Sequence, residues 1–342
     1  MKPLGTLDEL PREYVAELSR ANLVPLWPSM RALLPPQAPR TATLPAHWPW
    51  AAIRPLLLRA GELTPMEKAE RRVLVLANPG RGLDNLQASA TIYLGMQLVL
   101  PGETAPSHRH TPNAARVVVE GEGAVTMVEG EPCPMEPGDL ILTPTGQWHE
   151  HRHAGRVPVI WLDVLDLPLM VYLDVSYALE GAAQPAHAAD YAYGAGGLAP
   201  LMHGRRSRGA YPLLRYEWRR TRDALQAFAG RCEPGVPVQL AYVNPETGSD
   251  CLNTIAFAAL LLRPGEEITL PRVSAARVFH AVEGAGEAQV NDVAIAFERA
   301  DTFCAPGLAT VRLANRSGRT PSYLVIADES PLQRKLGVYE ER

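Results

Sequence analysis

Two stretches of this 342-residue chain are copies of one another. Residues 101–123, PGETAPSHRHTPNAARVVVEGEG, align with residues 264–286, PGEEITLPRVSAARVFHAVEGAG, which puts Gly102 on Gly265 and Gly121 on Gly284. Farther on, Asp139 and Pro144 fall on Asp301 and Pro306 with one residue of slippage. Around the first copy, short runs rich in valine and leucine (TIYLGMQLVL, ARVVVEG, GAVTMVEG, DLILTPTG, VPVIWLDV) are broken by Gly and Pro, and the same texture returns after residue 236. Such runs predict an all-β sandwich or small barrel, and their duplication predicts two similar β-domains in tandem. The chemistry-bearing residues are not duplicated. Where the first copy has His108 and His110 the second has Pro271 and Val273, and His149 falls on or near Val311.

The flanks read differently. Residues 1–85 predict an N-terminal helical region: Thr6–Glu9 and Thr64–Glu67 fit the S/T-x-x-E capping box, and Pro65 suits a first helical position. The helix PMEKAERRVLVL should run until Pro79 and Gly80 stop it. The first β-domain is expected over 86–178 and the second over 236–342. Between them, 179–235 reads as a connector containing a short helix, RTRDALQAFAG, closed by Gly230.

Composition narrows the function. Net charge is −4 with signs interspersed, which offers no field for a polyanion, so a small-molecule partner is expected and nucleic acid is not. No apolar run approaches a membrane span, and the N-terminus, acidic and amphipathic, is unlike a secretory signal. A cytoplasmic protein without membrane contact is expected. Cys133, Cys232, Cys251 and Cys304 form no CxxC pair and read as reduced thiols.

Five of the nine histidines (His108, His110, His149, His151, His153) fall between residues 108 and 153. In a strand, i and i+2 face the same way, so His108 and His110 project together, Arg116 continues their phase, and His149 and His151 do the same on another strand. Two neighbouring strands can therefore aim three imidazoles at one point, a donor set suited to borderline metals such as Zn, Fe, Ni or Cu. His153, nearer the strand end, reads as a surface residue; His203 and His280 stand alone and read as structural.

These residues carry a resemblance. Gly102, His108-x-His110, Ala114 and Gly121 follow the spacing of the first cupin motif, and Gly138, Pro144-x-Gly146 and His149 that of the second. Cupins commonly place a metal-binding glutamate where this chain has Ala114, and an asparagine where it has His153. A three-histidine site without the carboxylate resembles the gentisate 1,2-dioxygenase family, which includes salicylate and 1-hydroxy-2-naphthoate dioxygenases. The likeness extends over LLRAGELTPMEKAERRVLVLANPG, WLDVLDLPL and LAYVNPETGSDCLNTIAF. It implies a tandem double-stranded β-helix (bicupin) with an N-terminal helical extension. It also implies one Fe(II) per chain on His108, His110 and His149 of the first domain, O2 as co-substrate, and an oligomer, commonly a tetramer. The substrate would be an aromatic acid with a hydroxyl beside its carboxylate, cleaved between those two ring carbons; gentisate would give maleylpyruvate.

For catalysis and binding the candidates are Arg116, for the substrate carboxylate; His151, as an acid/base group or a satisfied structural histidine; Gln97, as a donor to substrate or water; and Asp163, as an acceptor that orients an imidazole. Tyr93 and Trp148 are candidate wall residues. The resemblance favours Arg72 over Arg71 as a second anion-side residue, whereas sequence alone reads both as solvated helix charges. The competing classes are another metal-dependent cupin enzyme, a decarboxylase or isomerase, and a non-catalytic bicupin binding protein.

Overall fold

Strand alternation organises the whole of this computed structural model, which describes residues 3–187, 193, 201–202, 205–206 and 211–342; His203 and part of the predicted connector lie outside the described residues. Residues Met1–Ala42 form a compact unit of their own, with helices Arg12–Arg20 and Met30–Leu33 and a one-turn 3-10 helix, Leu7–Glu9, where Glu9 Oε2 accepts the Thr6 N–H at 3.2 Å. The other unit, Thr43–Arg342, holds both copies of the repeat. Among the described residues, no helix is long and apolar enough to cross a membrane.

The strands run in chain order as β1 (Ala46–Trp48), β2 (Val73–Val75), β3 (Tyr93–Val99), β4 (Thr104–His110), β5 (Ala114–Glu120), β6 (Ala124–Val128), β7 (Glu131–Pro134), β8 (Leu140–Thr143), β9 (His149–His153), β10 (Val159–Leu165) and β11 (Ala178–Glu180). After a two-residue pair, β12 (Leu201–Met202) and β13 (Arg205–Arg206), come β14 (Arg215–Tyr216) and β15 (Val238–Ala241). The second copy continues with β16 (Ala256–Leu262), β17 (Glu267–Leu270), β18 (Arg277–Glu283), β19 (Gly286–Val290), β20 (Val293–Phe297), β21 (Thr302–Ala305), β22 (Val311–Ala314) and β23 (Ser322–Asp328). The first barrel closes a sheet ordered β14-β8-β5-β10-β3-β2 over one ordered β11-β4-β9-β6-β7; the second closes β1-β21-β18-β23-β16-β15 over β17-β22-β19-β20. This is the tandem cupin fold. Gly121 and Gly284 turn the corner after β5 and β18 with φ of +94° and +80°. A Cβ on Gly121 would meet the Pro158 carbonyl oxygen at 2.2 Å, so only glycine fits there.

The helical reading of PMEKAERRVLVL is corrected. Only Met66–Ala69 is helical; Glu70, at φ +51°, ends the turn, and Val73–Val75 pairs with β3 as an edge strand. Two valines flanking a leucine suit a half-buried pleat better than a helix. The long helix of this region is Trp50–Leu63 instead.

The two barrels exchange elements reciprocally. β1 pairs with β21 of the second barrel, and β14 pairs with β8 of the first. A helix follows each exchanged strand, Trp50–Leu63 and Trp218–Ala229, and each begins on the repeated aspartate of the barrel its strand has joined. Trp50 N–H donates to Asp301 Oδ1 at 2.7 Å, and Trp218 N–H to Asp139 Oδ1 at 2.8 Å. The helices then reach the opposite copy through Arg54–Glu120 (2.6 Å) and Arg222–Glu283 (3.5 Å). Outward-facing Phe257, Tyr323 and Val325 of the second barrel accordingly belong to the same apolar cluster as Leu94, Met96 and Leu98 of the first.

Inside the barrels the copies diverge. Gln97, Arg116 and Asp163 have Leu260, Phe279 and Ile326 as their counterparts in the second barrel, all three in its apolar interior cluster, where Phe279 and Phe303 stack at 4.7 Å. A polar layer there would go unsatisfied without a ligand, and apolar packing removes that cost.

A test of the exchanged clasp follows. Asp139 is buried and also accepts from Arg215 Nε at 2.6 Å; Asp139→Ala, which removes the helix start and leaves Arg215 only its 3.4 Å pair with Glu136, should cost about 3 kcal/mol in urea unfolding, and Asp301→Ala should also destabilise. Wild-type stability in both variants would contradict this account of the clasp.

Candidate metal centre

β4 and β9 are antiparallel neighbours with His108 directly opposite His149, and alternation along β4 brings His110 to the same face. The three rings lie with centroids 4.1–5.3 Å apart. One nitrogen from each falls within 4.8 Å of the others, and these three residues form the group among the described residues that could hold a metal ion. Backbone carbonyls orient the rings: His110 Nδ1 reaches the Pro112 oxygen at 2.8 Å and His149 Nδ1 the Gln147 oxygen at 3.0 Å. With Nδ1 donating, Nε2 keeps its lone pair, the tautomer a metal needs. The Nε2 of His149 is buried without a partner, an unsatisfied acceptor of the kind a ligand fills.

Burial is the main reason these imidazoles stay neutral. It lowers His108 to about 3 and His110 to about 4, and holds His149 well below the usual range, with nearby Arg71 and Arg116 adding to the effect on His108 and His110 and Arg116 on His149. No carboxylate joins them: position 114 is a buried alanine at the start of β5. The donor set therefore fits a divalent first-row metal and leaves its full charge uncompensated.

Beside the histidines opens a cleft of about 160 Å³ lined by Arg71, Val73, Tyr93, Gln97, His108, His110, Arg116, Asp163, Leu165 and Leu167. Tyr93, Gly95 and Gln97 share one face of β3, and the Tyr93 ring lies over Gly95, whose absent Cβ would meet the phenol oxygen at 2.7 Å. Gln97 Nε2 is buried without a partner. Arg116 is buried, opposite Asp163 on β10. Its Nε lies 3.1 Å from Asp163 Oδ1, at an angle that makes an ion pair and not a hydrogen bond, while Nη1 donates to Thr143 Oγ1 at 2.7 Å. Burial lifts the Asp163 carboxyl to about 6 against the pull of Arg116.

Four expectations are corrected. Arg72 does not reach the cleft: it is buried and paired with Glu103 through two nitrogens, at 3.0 and 2.6 Å. The neighbouring Arg71 does, because adjacent residues entering a strand face opposite ways and Arg71 shares the phase of Val73. Arg71 Nη2 donates to the Pro106 carbonyl at 2.8 Å and touches His108 Nδ1. Trp148, next to His149, faces away from it for the same reason; its ring packs on Gly181 and under the Arg109 guanidinium, 5.0 Å away. Asp163 orients a guanidinium and not an imidazole. His153 is buried, its Nε2 on the Val157 carbonyl at 2.6 Å, and not at the surface.

His151 lies behind His149, ring centroids 6.2 Å apart, and stacks obliquely against Trp161 at 4.8 Å. Its Nδ1 meets Thr126 Oγ1 at 2.9 Å, and that hydroxyl donates to Met135 Sδ at 3.4 Å. Either the hydroxyl or Nδ1 can supply the proton they share, and the Nε2 of His151 is buried without a partner. Thr126 and Thr143, which meet the His151 and Arg116 side chains, carry no signal in the sequence beyond their place in strands.

Residues 95–165 match the cupin domain family. Over 341 residues the chain is 57% identical to a gentisate 1,2-dioxygenase of Ralstonia sp., covering 99% of this chain and 96% of the relative. It is 34% identical to a 5-aminosalicylate 1,2-dioxygenase of Comamonas sp., covering 95% and 88%. Among solved structures, salicylate 1,2-dioxygenase from Pseudoaminobacter salicylatoxidans, an adduct with gentisate, superimposes with a TM-score of 0.89 at 32% identity, covering 100% of this chain and 95% of that one. With near-complete coverage on both sides and the three-histidine site in place, the chain belongs to the gentisate 1,2-dioxygenase family of cupin proteins.

Proposed function

We propose that the protein is an Fe(II)-dependent ring-cleaving dioxygenase. Its substrate is gentisate or a related salicylate-type acid, opened between the carboxyl- and hydroxyl-bearing carbons. The observation that carries this reading is the charge of the site: three neutral imidazoles without a carboxylate ligand, beside a cleft in which two guanidiniums, Arg71 and Arg116, face one carboxylate, Asp163. Such a site attracts a small dianion, which an ortho-hydroxylated aromatic acid becomes on chelation. Gentisate in the solved relative supports the same substrate class. A decarboxylase or isomerase of the cupin fold commonly uses the glutamate that Ala114 replaces here.

Bound Fe(II) supplies a Lewis acid and an electron source for O2, and the three histidines leave it open positions. The protein's part is to bind, orient and exclude water. Arg116, fixed at Nε by Asp163 and at Nη1 by Thr143, keeps Nη2 for the substrate carboxylate; Arg71 adds a second positive charge from the rim of β2. Tyr93, Val73, Leu165 and Leu167 supply the walls that confine the ring. Gln97 Nε2 is a donor with no other partner, suited to a substrate oxygen. His151 Nε2 accepts a hydrogen bond or proton from a hydroxyl in this region. We further propose that 86–178 is the metal-bearing domain and 236–342 a metal-free copy, and that the chain works in the cytoplasm as a homo-oligomer, a tetramer by family resemblance.

Anaerobic loading with Fe(II) followed by oxygen uptake tests the proposal, with gentisate, salicylate and 1-hydroxy-2-naphthoate as substrates. At least one should consume O2 stoichiometrically. His108→Ala should lose bound iron, whereas Arg116→Ala should keep the iron and raise KM by about 10- to 100-fold. Oxygen consumption with none of the three substrates would overturn the reading, as would full turnover in both variants.

The pH dependence has a defined sign. Folded His108 and His110 take up protons at about 3 and about 4, below the ordinary imidazole value of about 6.5. The unfolded chain therefore binds more protons between those limits, and the metal-free protein should lose stability as pH falls from about 6.5 toward 4. Iron occupancy should stay level from about pH 8 to about pH 5 and drop below that. Iron loss centred near pH 6.5, measured by dialysis at graded pH, would contradict the buried neutral triad.

A further inference from the structure

The Pro112–Asn113 peptide connects the histidine triad to a buried polar network that the proposed chemistry does not use. Its carbonyl accepts from His110 Nδ1 at 2.8 Å, and its N–H donates to Asp166 Oδ1 at 2.7 Å. A peptide group is planar and rigid, so fixing one end fixes the other. The Asp166 carboxylate thus stands one peptide unit behind His110, in the role a carboxylate plays when it holds a metal-ligating imidazole directly. Asn113 closes the arrangement, its Nδ2 donating to Asp166 Oδ2 at 2.9 Å while its Oδ1 accepts the Thr145 N–H at 3.1 Å. The adjacent Gly146 N–H reaches the His110 carbonyl at 2.8 Å. Both Asn113 and Asp166 are buried.

What holds Asp166 comes from the other copy of the repeat. Thr254, in the loop that leads into β16, donates its hydroxyl to Asp166 Oδ2 at 2.5 Å and accepts from Asn113 Nδ2 at 3.1 Å; Asn253 Oδ1 accepts from the same amide at 3.1 Å. These partners offset the burial of a carboxylate that, among the described residues, no cation contacts. Resting on the metal reading above, we infer that Thr254, Asn253 and Asp166 are positioning residues for His110, and that through them the metal-free second barrel sets the affinity of the first for its metal.

Fe(II) titrated anaerobically against a chromophoric chelator gives the test, with thermal unfolding of the metal-free protein recorded alongside. Thr254→Val and Asp166→Asn should each weaken Fe(II) binding by about 10- to 100-fold, and Thr254→Ser should restore it. Asp139→Asn, which loosens the first barrel away from the triad, serves as the control: its Tm should fall while its Fe(II) affinity holds. Unchanged affinity in Thr254→Val would overturn the inference, whether or not Asp166→Asn folds. So would a loss in Asp139→Asn that matches the loss in Thr254→Val at equal change in Tm. If wild type and His108→Ala bind Fe(II) alike, the metal reading itself fails, and that outcome is distinct from a failure confined to Thr254 and Asp166.

Discussion

The pairing of β4 with β9 is the constraint on which the site depends. It sets His108 across from His149, and a slip of one strand by one residue would turn its histidines to the other face, away from those of its partner. The barrel around this pair does two further things. It buries the imidazoles enough to keep them unprotonated at neutral pH, and it supplies carbonyls that hold Nδ1 of His110 and His149 and so turn their Nε2 atoms inward, while Arg71 meets His108 at Nδ1. A neutral triad with His110 and His149 already turned inward costs little to assemble around a divalent ion, and His108 joins it by giving up its contact with Arg71.

Charge explains the rest of the cleft. Arg116 is a buried cation held by Asp163 and Thr143, an arrangement that leaves part of the guanidinium for a ligand. Burying a guanidinium and a carboxylate together stabilises a fold only weakly, and the corresponding layer of the second barrel is apolar. The contrast between Gln97, Arg116 and Asp163 on one side and Leu260, Phe279 and Ile326 on the other separates what the fold requires from what a ligand requires. The second barrel retains the clasp aspartate, the corner glycine and the strand order, all of which serve folding, and reaches the site through Thr254 and Asn253.

Much of this was legible in the sequence because it rests on short-range periodicity. The tandem β architecture followed from the duplicated glycines and turn-bounded valine runs, and the triad from i, i+2 spacing within β4 together with a second histidine strand. Arg116 and Gln97 followed from strand phase and family likeness, and both line the cleft. The errors share one origin. A helix running through Val73–Val75 removes the alternation that distinguishes Arg71 from Arg72, and Trp148, one residue from His149, has the opposite parity and so faces away from the cleft. The reciprocal exchange of β1 and β14 was not legible at all, since strand pairing between elements far apart in the chain leaves no local trace; nor was the link from Thr254 to His110, which runs through tertiary contacts alone.

An anaerobic crystal structure with Fe(II) and gentisate tests the central claim most directly. The account predicts iron on His108, His110 and His149, no protein carboxylate on the metal, and the substrate carboxylate against Arg116. A protein carboxylate on the iron, or gentisate bound away from the cleft between β3 and β4, would contradict it.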